Sequence, residues 1–262
     1  MTPTQAYLDK CRHIFEVVSG QENNIVKAAQ WFSKTILQGR MVHMFASGHS
    51  RILVEEMWPR YGSFPGFNPI VELSLTFHNL VVGSNGQRQA MFLENVSGLA
   101  GRIIRNFDIS AEDCAIVVSS SGCNIVPIEM AELFQQHRVK VVAIITKEHA
   151  EKSKSKRIDG KKLGDFADLI LDTGAPAGDA MVQIKGLDTP VAPGSTVGGV
   201  LLVNSIKAEL ARLLTEAGQP PKVLTAGVVA GEQRAAELFE SAYDDHAHRL
   251  AKLYQNIGRK SQ

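Results

Sequence analysis

The chain has 262 residues, enough for one large domain or two small ones at about 100–200 residues per domain. Lys and Arg number 28 against 27 Asp and Glu, a net charge of +1 that excludes a protein coating polyanions along its whole surface. Its 44% hydrophobic and 21% charged residues exclude a disordered or collagen-like chain.

Apolar residues at three- and four-residue steps (Tyr7, Leu8, Cys11, Ile14, Phe15, Val18, then Ile25, Ala28, Ala29, Phe32, Ile36) predict two helices within residues 5–37. Ser19-Gly20 separates them. A short apolar strand at 41–46 leads into Ser47-Gly48-His49-Ser50 and a helix from 51 to about 60. A second strand is predicted at 69–73, and a helix at 88–106 with Met91, Phe92, Val96, Leu99, Ile103 and Ile104 on one stripe. Cys114–Val118 reads as a strand ending in Ser119-Ser120-Ser121-Gly122, before a helix with Ile128, Ala131, Leu133 and Phe134 on its apolar face. Lys140–Ile145 is a continuous β-branched strand, 169–171 another, and 223–224 a short further one. Long helices begin near Ser195 and near Gly231.

Short apolar strands alternating with helices mean an α/β fold around a mostly parallel sheet buried on both faces. No repeat, low-complexity tract or dividing linker breaks the chain, so residues 1–262 are read as a single domain. The amphipathic stretches 5–37 and 231–257 exceed what two layers around about five strands need. They are therefore expected to meet a second copy, in a homodimer or homotetramer.

Three scattered cysteines (Cys11, Cys114, Cys123), without C-x-x-C spacing, read as free thiols in a reducing compartment. Met1-Thr2-Pro3-Thr4-Gln5 has neither a basic nor an apolar targeting region, and no apolar run of about 18 residues occurs. A cytoplasmic chain with no membrane partner is expected. The tract 152–162 carries Lys152, Lys154, Lys156, Arg157, Lys161 and Lys162 without periodicity. It is a solvated loop, or a basic flap over an anionic ligand. Without interleaved aromatics it argues against nucleic acid as a partner.

Three hydroxyl-rich turns follow a strand or open a helix: Ser47-Gly48-His49-Ser50, Ser119-Ser120-Ser121-Gly122-Cys123-Asn124, and Pro193-Gly194-Ser195-Thr196-Val197-Gly198-Gly199. Glycines let backbone approach a ligand, while Ser, Thr and Asn donate hydrogen bonds without charge. Each helix start adds roughly +0.5 of a charge. Singly, such a turn is an ordinary cap; together they suit a phosphate held without lysine. Neither G-x-G-x-x-G nor a Walker A motif is present, which argues against a dinucleotide or nucleoside triphosphate.

At these residues the sequence resembles the sugar isomerase (SIS) domain family. Ser119-Ser120-Ser121-Gly122-Cys123-Asn124 matches that family's S-x-S-G-x-[TN] turn, and the other two turns match its remaining phosphosugar-binding segments. The likeness spans roughly 20–225 and is nearest to an uncharacterised branch of stand-alone SIS proteins. Residues 44–56, 113–131 and 178–206 carry that closer likeness. The resemblance implies a three-layer α/β/α sandwich, a dimer or tetramer, and a sugar phosphate held by Ser47, Gly48, Ser50, Ser119, Ser120, Ser121, Asn124, Ser195 and Thr196. One departure stands out: in Val71-Glu72-Leu73-Ser74-Leu75-Thr76-Phe77, Thr76 occupies the place of the family's usual catalytic Glu.

Aldose–ketose isomerisation needs a base for the carbon-bound proton and a second group for the hydroxyl proton. The candidates are Glu55, His49, His78 and Glu94. Glu55 is favoured because it lies about 7.5 Å along the helix from Ser50. His49 sits inside the first turn. His78 and Glu94 belong to the long 77–112 segment, where a plain surface residue is the stronger reading of Glu94. His246, on the apolar face of the last helix, reads as a buried, hydrogen-bonded histidine; the resemblance implies the alternative that His246 or His248 is offered to a neighbouring subunit. His43, His49 and His78 lack ligand spacing, so no metal and no cofactor is expected. The reading is a phosphosugar-binding SIS protein, an aldose–ketose isomerase first. A phosphosugar lyase or deaminase and a non-catalytic sensor are the alternatives.

Overall fold

The computed structural model describes residues 1–76 and 87–255. Five strands, β1 (Val42–Ala46), β2 (Phe67–Ile70), β3 (Cys114–Val118), β4 (Lys140–Ile145) and β5 (Leu169–Asp172), form one sheet in the order β2-β1-β3-β4-β5. Every pairing is parallel. Val42 stands opposite Cys114, and Ala46 opposite Val118.

The strands' period of two divides their side chains between two cores. Val42, Met44, Ala46, Ile116, Val118, Val142 and Ile144 face α2 (Glu22–Leu37), α3 (Ile52–Met57) and α9 (Ser195–Glu216). Phe45, Ala115, Val117, Val141 and Ala143 face α6 (Leu99–Ile104) and α7 (Ile125–Gln136). With both faces covered, no strand needs a polar face. The buried parallel sheet expected from the pattern, and the α/β/α sandwich that the resemblance implies, are the fold observed. α9 reaches the sheet through glycine: a Cβ on Gly198 would stand 1.8 Å from the Thr173 carbonyl oxygen, and one on Gly199 2.4 Å from Leu53. These two glycines serve helix packing.

α1 (Pro3–Ser19) opens with a capping box in which the Thr2 hydroxyl accepts from Gln5 N and the Gln5 side chain accepts from Thr2 N. α4 (Leu73–Thr76), α5 (Gln87–Leu93), α8 (Lys147–Lys152), α10 (Gly227–Ala230) and α11 (Glu232–Leu253) complete the helices of the described residues. None is long and apolar enough to cross a membrane.

Three element expectations need correction. The second strand runs Phe67–Ile70, and Leu73 already begins a helix. The predicted 88–106 helix is two helices, broken at Gly98, whose φ of 83° is left-handed. Residues 223–224 join no sheet. Leu224 instead exchanges hydrogen bonds with the 62–63 loop: its N–H donates to Ser63 O, and Gly62 N donates to its carbonyl, both at 2.8 Å.

A buried polar cluster closes the amino-terminal end of the sheet. Asp113, 1% exposed, accepts from Arg40 Nε at 2.8 Å and Nη2 at 2.7 Å, and from Ser110 N at 2.8 Å. His43 Nε2 lies 3.2 Å from the same carboxylate, while Asn68 Nδ2 stands 2.9 Å from His43 Nδ1. Burial would raise the Asp113 carboxyl, but the His43 ring and the Arg40 fork outweigh it and hold the group below its usual range.

Candidate functional site

The chain leaves β1 for β2 on one side and then returns across it to β3 on the other. In such open sheets the crevice for a ligand lies beyond the carboxyl ends of the strands at that switch. A cavity of about 670 Å³ lies there, and residues of all three hydroxyl-rich turns line it.

In the first turn, Gly48 takes a left-handed φ of 57°. Gly48, His49 and Ser50 face the cavity, His49 with its ring exposed. Ser47 is buried, and its Oγ donates to Glu94 Oε2 at 2.6 Å. In the second turn, Ser119 Oγ accepts from Gly122 N at 3.2 Å and Ser121 Oγ from Cys123 N at 3.3 Å, leaving both hydroxyl protons for a ligand. The N–H groups of Ser120 and Ser121 have no hydrogen bond among the described residues. Ser120 differs: it lines the cavity, but its Oγ is engaged with Thr146 Oγ1 at 3.1 Å. Asn124 begins α7, and its Nδ2 donates to Glu94 Oε1 at 2.7 Å.

Glu94 is therefore not a surface residue. It is 8% exposed, follows α5, and has its carbonyl tied to Val126 N at 2.8 Å. Its carboxylate bridges the first two turns through neutral donors. Burial pushes that carboxyl above the usual range, and Ser47, the field of Lys156 and Asn124 offset only part of the effect.

The third turn carries a carboxylate that the residue reading did not assign. Asp179 Oδ1 accepts from Gly194 N at 2.9 Å and Ser195 N at 2.7 Å, and its Oδ2 accepts from Ser195 Oγ at 2.6 Å. Ser195 and Thr196 line the cavity, but the donors of Ser195 are occupied from within the chain. His149, Lys154 and Lys156 also face the cavity and were missed as site residues. His149 lies in α8, which follows β4 without a glycine or serine turn, so no local signal marked it. The lysines did carry one, in the basic tract read as a flap. That tract is fastened to the second turn through Lys156 N to Cys123 O at 3.0 Å and Leu163 N to Gly122 O at 2.8 Å. Neither Lys154 nor Lys156 forms an ion pair among the described residues.

Glu55 lies outside this cavity. Its carboxylate pairs with Arg51 at 2.5 Å on the surface, because the helix turns it away from the sheet's end. Glu56 lies against α9, where Asn204 Nδ2 donates to it at 2.8 Å. Thr76 is buried, bonded through Oγ1 to Glu72 O at 2.9 Å, and does not line the cavity. His78 lies outside the described residues. His246 packs on Trp58, ring centroids 5.1 Å apart, and burial lowers its pKa.

A parallel sheet with its cavity at the β1/β3 switch, walled by serine-rich turns, defines the class: a profile of SIS domains matches residues 6–146, and the chain belongs to that family. Within it the chain groups with the UPF0309 proteins. It is 31% identical over 232 residues to a UPF0309 protein of Halalkalibacterium halodurans, covering 87% of this chain and 93% of that one. It is 32% identical over 243 residues to another from Geobacillus kaustophilus, covering 93% and 94%. Among solved structures it is similar to the phosphoheptose isomerase GmhA of Neisseria gonorrhoeae, at 13% identity and a TM-score of 0.48 over 81% of this chain and 96% of that one. It is also similar to the Vibrio vulnificus NanR protein complexed with ManNAc-6P, at 17% identity and a TM-score of 0.44 over 92% and 67%.

Proposed function

We propose that the chain binds a sugar phosphate in the β1/β3 cavity and isomerises it between aldose and ketose, with Glu94 as the base. One observation carries the reading: a buried carboxylate, raised above its usual range, held between two turns by neutral donors. A carboxylate tied to a cation would be a poor base. One held by Ser47 and Asn124, with burial raising its pKa, binds a proton more readily than an ordinary Glu, which suits a group that must take and return the same proton. The phosphate is assigned to the free amides of Ser120 and Ser121, the hydroxyls of Ser119 and Ser121, and Lys154 and Lys156. His49 is assigned the hydroxyl proton. A lyase or deaminase would begin with the same proton abstraction.

The test is NMR of C2-proton exchange in deuterated buffer across a panel of sugar phosphates. Glu94→Gln should slow exchange about 10²–10⁴-fold with affinity within a few-fold. Ser121→Ala should weaken binding about 10–150-fold, the equivalent of about 1.5–3 kcal/mol for a hydrogen bond to a charged group. Binding without exchange in the native chain would favour the sensor. We further propose a homodimer through the outer faces of α1 and α11, where Leu8, Phe15, Phe239 and Tyr243 are exposed. A monomer mass by light scattering at micromolar concentration would refute that.

A further inference from the structure

We propose that Asp179 is the specificity-determining residue of the cavity: its carboxylate fills the start of α9, leaves a single seat for an anion, and so restricts the site to sugar monophosphates over bisphosphates. This rests on the phosphosugar reading of the same cavity. Glu94 takes one side-chain donor from each of the first two turns, but among the described residues only the third turn has its backbone amides met by an acid of the chain. Gly194 N, Ser195 N and Ser195 Oγ all point to Asp179, at 2.9, 2.7 and 2.6 Å. A phosphate at the second turn finds uncommitted amides and two lysines. A second phosphate near the third turn finds a negative charge where its donors should be, and like charges a few ångströms apart repel strongly in a partly desolvated cleft.

The carboxylate is built in. Asp179 itself adopts a left-handed φ of 51°, its N–H bonded to Pro176 O at 3.1 Å. The excursion that carries it is closed by an antiparallel bridge between Val182 and Val191, and Met181 N donates to Val191 O at 3.0 Å. Beneath it, Ile14, Ala175, Met181 and Val182 form a small core of their own. Tyr7 Oη reaches over from α1 to Pro193 O at 3.0 Å. Gly194 has no room for a side chain, since a Cβ there would stand 2.5 Å from Met181 Sδ. Three separate elements therefore converge to hold the acid against the helix start.

The experiment is calorimetric titration of the full-length chain with fructose 6-phosphate and fructose 1,6-bisphosphate, for the native protein, Asp179→Asn, Asp179→Ser and Asp179→Glu. Cooperative melting of each variant confirms that it is folded. The native chain should bind the monophosphate at least tenfold more tightly. Either neutral variant should narrow that ratio at least tenfold by strengthening bisphosphate binding, while Asp179→Glu keeps it. An unchanged ratio in the neutral variants, or a native preference for the bisphosphate, would overturn the role of Asp179 and leave the phosphosugar reading intact. Binding of neither sugar by the native chain, with no response across the wider panel, would overturn both.

Discussion

Two buried carboxylates lie at opposite ends of the same sheet, and their surroundings drive them apart. Asp113, just before β3, meets the Arg40 fork, the His43 ring and a backbone amide, and its pKa falls below the usual range. Glu94, beyond the carboxyl ends of β1 and β3, meets a serine hydroxyl and an asparagine amide that offset burial only in part, so burial raises its pKa. A nearby cation makes an acid inert and structural. Burial between neutral donors, with no cation paired to it, leaves an acid facing a cavity and readier to take a proton. The amino end of the sheet is fastened, and the carboxyl end is kept reactive.

The largest effect should come from breaking the fastened end. Asp113→Ala leaves the half-buried Arg40 and the buried His43 without their carboxylate and is expected to cost about 3–5 kcal/mol, read by denaturant unfolding. Activity per folded molecule should be unchanged, because the cluster lies at the far end from the cavity.

Acidity sharpens the contrast, because the two groups respond with opposite sign. Asp113 binds fewer protons folded than unfolded near its titration, so its contribution is present above the ordinary carboxylate range and is lost as pH falls through its depressed value. Glu94 binds more protons folded than unfolded. Its contribution is full below the ordinary Glu range and is lost as pH rises through its raised value. The stability gap between native chain and Asp113→Asn should therefore close in acid. That between native chain and Glu94→Gln should move toward the variant as pH rises. Thermal melts from pH 3 to about pH 8 check both; a parallel drift of the two gaps would remove the contrast.

At neutral pH, Glu94→Gln should lose exchange activity while melting no lower than the native chain, gaining up to about 1–2 °C for a few tenths of a kcal/mol. An amide can still accept from one turn and donate to the other, without the cost of burying charge. A large loss of stability would recast Glu94 as a structural staple. The smallest effect belongs to Glu55→Gln, whose surface pair with Arg51 should be worth about 0–1 kcal/mol at most and whose loss should leave exchange untouched.

The sequence was most informative where local chemistry and periodicity agree. The β-branched run Lys140–Ile145, the helix starts at Ser195 and Glu232, and the glycine and serine turns after β1 and β3 all follow from short-range rules, since strand period, capping and φ freedom act within a few residues. Those rules predicted the sheet, both of its buried faces and the end at which a ligand would lie. They could not rank Glu55 against Glu94. Glu55 is close to Ser50 along the chain, but helix phase turns it outward to Arg51. Glu94 is 47 residues from Ser47 and 30 from Asn124, yet meets both. The same holds for Asp179 against Ser195 and for Lys156 beside the second turn. Short-range patterning decides which segments become strands and helices, and where they turn. Which acid lies buried among neutral donors, and which is paired at the surface, depends on long-range packing that brings distant segments together and sets how much water each group loses, and only the tertiary structure decided that.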